Sequence, residues 1–287
     1  MSTGITTAMI KGFETGVTHL AQQEGSRLRG CVDNRTVGPG EEFSFDQLDT
    51  ITPLELSTRH ADTPQGNVGH DRRWVVPKTY AHGEMIDKPD MLKTINSFAN
   101  PYVRAMAMGF GRQQDSDIIT AATATALTGK TSGTSTETFV GGDNTIASGS
   151  VGMTLAKINQ AAKVLRKYEH PKPWYMVVAA DQIEDLMNDS TMTSADYNTV
   201  RMLMSGEVDT FGGFHWVTTQ LLAVDSTPDR TCLAWSKDSM LLATLEQPFS
   251  RITEESTKNF LTQVYYRNVF GATRMQQRGV VNIQCTE

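Results

Sequence analysis

Apolar and polar residues follow changing rhythms along this chain, and each rhythm predicts a different element. Over residues 5–24, Ile5, Met9, Phe13, Val17 and Leu20 recur at spacings of three and four, which predicts a short amphipathic helix with one narrow apolar stripe. That helix either packs on its own domain or forms a detachable arm that docks on a neighbour or another protein. Gly25 and Gly30 beyond its end favour some mobility. The rhythm then changes to two. "GEEFSFDQL" sets Phe43 and Phe45 against Glu42, Ser44 and Asp46, and "DRRWVVPKTY" predicts a second strand carrying Trp74, Val76 and Tyr80. Pro77 removes one amide donor from that strand and favours an edge position. Between them runs the polar stretch "DTITPLELSTRHADTPQGNVGH". A two-stranded projection with a polar tip buries little of its own surface and is marginal alone, so an ordered one needs a partner surface.

Helical spacing returns at residue 100. Asn100 and Pro101 read as an N-cap and first-turn pair, followed by Tyr102, Met106, Phe110, Gln113, Asp117 and Ala121, with Val103, Ile118 and Ala122 alongside. This helix is predicted to end between Leu127 and Gly129, about 40 Å long at 1.5 Å per residue. Its stripe reads as core rather than as a cofactor site. Residues 128–152 are rich in Gly, Ser and Thr and are predicted to break the chain in two.

A compact α/β piece follows. Leu155, Ile158, Ala162 and Leu165 form the apolar face of a helix whose other side carries Lys157, Lys163, Arg166 and Lys167. "WYMVVAA" is a buried strand, "DQIEDLMND" opens a helix with Asp181 at its cap, and another helix lies near 197–204. Gly212 and Gly213 precede the alternating run Phe214, Trp216 and Thr218, which predicts a tight turn with positive φ into a strand. Residues 260–270 and 279–285 are strands around a polar turn.

Composition narrows the classes. Counting Gly in place of Tyr, the apolar share is about 45%, the globular norm. The 26 basic and 32 acidic residues give a net charge of −6, with no run of basic residues, which argues against gripping a polyanion through a broad basic surface. No stretch approaches the roughly eighteen apolar residues of a membrane span, and residues 1–20 lack the apolar run of a secretory signal. Cys31, Cys232 and Cys285 show neither a pairing framework nor zinc spacing, so a reducing compartment is expected.

The search for chemistry returns little. "TGKTSG" lacks the earlier glycine of a phosphate loop, since position 124 is Ala124, and it follows a helix instead of a strand. "GFG" at 109–111 lacks a third glycine and sits inside the predicted helix. His60 and His70 flank a loop with Asp62 and Asp71, a pattern that surface loops also collect by chance. No nucleophile elbow occurs, and the acidic cluster Asp181, Glu184, Asp185 and Asp189 reads as a solvated helix face. No catalytic, cofactor-binding or metal-binding residue is expected.

The order of parts is more telling. "RWVVPKTYAHGEMIDKPDML" resembles the return limb of an extended loop, and "NPYVRAMAMGFGRQQDSDIITAATATALTG" resembles a spine helix with its exit. "TLAKINQAAKVLRKYEHPKPWYMVVAADQIEDLMND", with "LMSGEVDTFGGFHWVTTQLL" after it, resembles the helix, strand, helix and glycine turn of an axial domain. Together they are similar to the major capsid protein of tailed bacteriophages, over essentially the whole chain. The resemblance implies an α+β fold: N-terminal arm (1–30), extended loop (31–88), peripheral domain with spine helix (89–150), axial domain (151–245) and strands returning to the peripheral domain (246–287).

It further implies a non-enzymatic protomer that self-assembles into hexamers and pentamers of an icosahedral head. That head would be a virion shell built in the host cytoplasm, enclosing double-stranded DNA without sequence-specific binding and without a membrane. A separate scaffolding protein is expected, because residues 1–30 are too short for the internal scaffold of some relatives, and portal and decoration proteins are the other implied partners. The expected assembly interface on the extended loop is Phe43, Phe45, Arg59, Arg72, Arg73, Trp74 and Tyr80, with Gly212 and Gly213 as a structural turn. The Lys and Asn positions of cross-linking relatives find no match here. The rivals are a bacterial nanocompartment shell of the same fold and a soluble α/β enzyme with a dispersed site.

Overall fold

The computed structural model describes residues 22–55, 58, 63, 66, 68–86, 99–139, 141–189, 200, 209–224, 229–258 and 261–287. The stripe from Ile5 to Leu20 and the helix expected near 197–204, Val200 apart, lie outside the described residues, as do Arg59, His60 and Asp62. In chain order the elements are β1 (Asp33–Thr36), β2 (Phe43–Leu48), β3 (His70–Val75), β4 (Lys78–Ile86), α1 (Ala99–Thr123), β5 (Ala126–Thr128), β6 (Ser135–Glu137) and β7 (Thr145–Ile146). There follow α2 (Leu155–Lys167), β8 (Trp174–Val178), α3 (Ala180–Asn188), β9 (Thr210–Phe211), β10 (Phe214–Thr218), β11 (Asp229–Ser236), β12 (Met240–Glu255), β13 (Leu261–Arg274) and β14 (Val280–Thr286). The strands form three sheets, ordered β1-β12-β13-β4, β7-β14-β11-β8-β10-β9 and β2-β3-β5-β6.

Two compact units result, one of Met1–Ser26, Thr79–Arg112 and Glu246–Val269, the other of Arg27–Lys78, Gln113–Leu245 and Phe270–Glu287. The Gly/Ser/Thr-rich stretch 128–152 is therefore no boundary between units. It carries β6, antiparallel to β5, and β7, parallel to β14. At the end of the chain β13 meets the long helix, and β14 lies between β7 and β11 in the six-stranded sheet.

The long helix α1 has 25 residues, about 37 Å at 1.5 Å per residue. It starts at Ala99, which puts Asn100 and Pro101 inside its first turn, and it ends at Thr123 instead of near Gly129. The buried Arg274 helps set that end. Its guanidinium donates to the carbonyls of Ala122 and Ala124, both at 2.8 Å, and to Glu137 at 3.1 Å, satisfying acceptors a helix leaves open at its C-terminus. The buried face also shifts by a residue from the expected stripe: Gln114 and Asp115 are buried, while Gln113 and Asp117 are half-buried and bond each other at 3.1 Å.

Within the first unit, Met106 and Phe110 of α1 pack with Val264 and Tyr266 of β13, and Tyr80 and Val103 close the cluster. The chain around Gly25 passes directly over Gly111, where a Cβ would stand 2.4 Å from the Gly25 carbonyl carbon. Arg104 and Arg112 bond Glu24 and Gln22 beside this crossing. In the second unit, fully buried Asp115 accepts the Arg27 and Leu28 amides at 2.9 and 3.1 Å.

Helix α2 has the expected apolar face of Ile158, Ala162 and Leu165, but Lys157 is not on its solvated side. It is buried, and its Nζ donates to the carbonyls of Val151, Gly152 and Gln284 at 2.8–2.9 Å. The acidic residues of α3 are likewise not a merely solvated face. Asp185 accepts the Met153 amide at 2.9 Å and Asp189 accepts the Leu155 amide at 3.1 Å, so α3 holds the start of α2. Helix α3 begins a residue before Asp181, and Gln182 rather than Asp181 receives the Ala179 amide at 3.1 Å.

Gly111→Ala is expected to destabilise the protein by about 1–2 kcal/mol, because the new methyl meets backbone that cannot move aside. Gly109→Ala meets only the tip of Arg112 at 3.7 Å and is expected to be neutral or up to about 1 kcal/mol stabilising. Denaturant unfolding of the two variants side by side tests the contrast, and equal effects would refute the crossing.

Candidate assembly interface

The limbs of the extended loop are β2 and β3, paired antiparallel from Phe43↔Val75 to Leu48↔His70 and prolonged by Asp49 N donating to Gly69 O at 3.0 Å. They are not a free ribbon. β3 also pairs with β5 and β5 with β6, so the base is a four-stranded sheet. The expected return strand is in fact two strands. The chain leaves β3 after Val75, passes Val76 and Pro77, and enters β4 in a different sheet. Proline has no amide to continue a ladder, which suits that exit.

Period two sorts the side chains of β2. Phe43, Phe45 and Gln47 are half-buried, and Ser44, Asp46 and Leu48 are exposed. Phe45 packs against the cluster of Val75, Leu241, Ala243 and Met275, with the Arg35 guanidinium 5.3 Å from its ring centre. The Phe43 ring lies close over Gly40. Trp74 is half-buried and donates through Nε1 to Gly129 O at 2.8 Å.

Arg72 and Arg73 are neighbours with opposite situations. Arg72 forks onto the Asp46 carboxylate across the hairpin and lies 5.8 Å from the Trp74 ring centre. Its hydrogen bond holds the exposed Asp46 carboxyl below the usual carboxylate range. Arg73 turns inward, donates to Met275 O at 3.0 Å and pairs with Asp71 and Glu137. Gln47 adds a second donor to Met275 O at 3.0 Å. Tyr80 belongs to the helix cluster of the first unit described above. Arg73 and Tyr80 thus serve the protomer's own packing, while Arg72, Trp74 and the outer face of β2 present surface.

Beyond β2 the pattern breaks in a way sequence reading passed over. Leu48 stands on the polar face, 66% exposed, and Ile51 and Leu54 follow at 71% and 64%. Large apolar side chains recurring every third residue at that exposure have no cover among the described residues.

Beside the hairpin, Asp46, His70, Asp71, Arg72, Gly129 and Lys130 line an open depression of about 390 Å³. Among the described residues no group of three or more His, Cys, Asp or Glu could hold a metal ion, and no helix is long and apolar enough to cross a membrane.

Gly212 and Gly213, with φ of +63° and +88°, form the two-residue turn joining β9 to β10, which pair at Phe214↔Phe211. Phe214 and Trp216 point inward from β10; Trp216 Nε1 donates to Phe211 O at 2.9 Å, and Phe214 meets Trp174 at 5.7 Å between ring centres. This corner builds the sheet.

Substituting Arg73 by Met should destabilise the protein by about 2 kcal/mol, since the buried fork loses its bond to the Met275 carbonyl and its pairs with Asp71 and Glu137. Arg72→Ala should leave the unfolding midpoint near that of the parent, because its pair faces solvent. Chemical denaturation distinguishes them, and a harmless Arg73→Met would contradict the inward role.

No curated protein resembles the chain closely enough to count as a match. Solved structures do. The capsid structure of cyanophage P-SCSP1u superposes at a TM-score of 0.72 with 15% identity, covering 100% of this chain and 96% of that one. A chain of Mycobacterium phage Che8 gives 0.68 and 14%, covering 96% and 97%. The head structure of Helicobacter pylori bacteriophage KHP40 gives 0.71 and 11%, covering 96% of each. At these identities the likeness establishes the fold. The model of the family described as phage capsid protein matches residues 5–287. The chain belongs to the phage capsid protein family: it is a major capsid protein of the tailed-phage kind, a structural subunit of the head shell and not an enzyme.

Proposed function

We propose that this protomer closes an icosahedral shell by laying the limb from Leu48 to Leu54 on a neighbouring copy. The observation that carries the reading is the exposed series Leu48, Ile51 and Leu54 at the end of a hairpin whose base is fixed by Phe45, Arg73 and Trp74. A rigid base with an uncovered apolar limb suits a contact completed by another subunit. Arg72, Trp74 and the outer face of β2 border the same contact, and Arg59, outside the described residues, belongs to it by its place in the loop. In this reading residues 1–30 are the arm and 31–88 the extended loop.

Copies meet around the capsomer axes through heterologous contacts that close into hexamers and pentamers. The shell is a virion component, and in this reading it forms in the host cytoplasm around a separate scaffolding protein. A portal occupies one vertex, decoration proteins bind outside, and double-stranded DNA fills the interior. The net charge of −6 supports a container that holds DNA without gripping it. The family match is to phage capsid proteins, which favours a genome over the cargo enzymes of a nanocompartment.

Replacing Leu48, Ile51 and Leu54 together by Ser is expected to leave a folded protomer that forms no shells. Deleting residues 50–69 should do the same. Negative-stain electron microscopy, with the scaffold co-expressed, reads assembly, and circular dichroism reads folding. Normal shells from either variant would remove the loop from the interface.

A further inference from the structure

We propose that Cys232 and Cys285 are a reversible redox pair, converted by a peroxide into a disulfide that ties β14 to β11. The placement comes from the sheet register. β11 and β14 pair antiparallel, with Cys232 opposite Ile283 and Cys285 opposite Arg230, so the two cysteines stand one pleat repeat apart on adjoining strands. Both are fully buried. Lys157 reaches in from α2 and sets its Nζ 4.0 Å from Cys285 Sγ while three carbonyls fix it in place.

The charges around the pair separate the roles of the two sulfurs. The hydrogen bond from Cys232, and then the Lys157 ammonium, hold the Cys285 thiol below its ordinary range, against burial and the Asp185 and Asp229 carboxylates. The same contact pushes Cys232 up. The Lys157 ammonium, 4.0 Å from Cys285 Sγ, favours a thiolate at that sulfur, so Cys285 attacks and Cys232 resolves. Cys31 supplies an internal contrast: it is buried without a cysteine beside it, Sγ donates to Arg27 O, and burial pushes its thiol up to about 11.

The chemistry balances with hydrogen peroxide as oxidant. The Cys285 thiolate attacks one peroxide oxygen, the O–O bond breaks, and with one proton the products are a sulfenic acid and water. The Cys232 thiol then attacks the Cys285 sulfur, forming the S–S bond and releasing a second water, so two sulfurs are oxidised and one peroxide is reduced. Diagonal neighbours on a regular sheet hold their Cα atoms about 7–8 Å apart. A disulfide spans about 4.4–6.8 Å, so bonding draws the strands together by roughly 1 Å. A bridge made under that demand is easily reduced, as regulatory disulfides are. For a shell made in a reducing cell and released into an oxidising medium, the bond would secure the last strand after release. That purpose rests on the shell reading, but the chemistry belongs to the protomer alone.

The test uses the unassembled full-length protein, so its outcome is independent of assembly. Native protein is exposed to hydrogen peroxide, quenched, denatured, alkylated with N-ethylmaleimide and mapped by peptide mass. The expected result is joint loss of the Cys232 and Cys285 thiols, an intact mass lower by two hydrogens, and alkylation of Cys31 as before. Dithiothreitol should restore all three thiols. With Cys232→Ala, peroxide should leave a Cys285 sulfenic acid that dimedone captures. Three free thiols after peroxide, a disulfide through Cys31, or irreversible oxidation of Cys285 beside a free Cys232 would overturn the proposal.

Discussion

A backbone group taken out of water must find a partner, and at its internal junctions this protein meets that demand with buried charge. Asp115 on the long helix takes the amides of Arg27 and Leu28. Arg274 takes three carbonyls at the helix exit, and Lys157 takes three more where α2 begins and β14 ends. A group at such a junction that loses its partner costs about 1–3 kcal/mol, and more when the partner is an ion left buried. Within the second unit these residues join segments that are remote in sequence. Residues 27 and 115 meet, as do 122, 137 and 274, and 151, 157 and 284.

The extended loop depends on the same device. Arg73, one residue from the half-buried Arg72, fastens β3 to Met275, Asp71 and Glu137. With the base so fixed, the limb beyond Leu48 leaves the sheet without burying its own apolar side chains. A shell subunit needs both properties, because a limb that covered itself would have nothing to offer a neighbour, and one without a fixed base would lose ordering entropy on binding.

Sequence patterns carried part of this. The alternation of Phe43 and Phe45, the helical spacing through Met106, Phe110 and Ile118, and the buried run Trp174–Val178 each coincide with an element, since each pattern reflects a local face. The strands β11 and β12 went unassigned because "CLAWS" and "MLLATL" are buried without alternation, leaving no period to read. Buried charges were misplaced for a different reason. Lys157 sits among Lys163, Arg166 and Lys167 and shares their spacing, and only the distant Gln284 carbonyl and the neighbouring turn distinguish it. Arg73 beside Arg72 poses the same problem. The exposed Leu48, Ile51 and Leu54 were legible as apolar residues in a polar loop, but the loop's polarity concealed them. Gly111 looked like half of a nucleotide fingerprint, and its small size serves a chain crossing.

The central claim is that the apolar limb of the loop is covered by another subunit. A cryo-electron microscopy map of assembled particles, at a resolution that shows side chains, tests it most directly. The account predicts density for Leu48, Ile51 and Leu54 seated against a neighbouring copy, with the base around Arg73 unchanged. A closed shell in which those three side chains face solvent or fold back onto their own chain would contradict it.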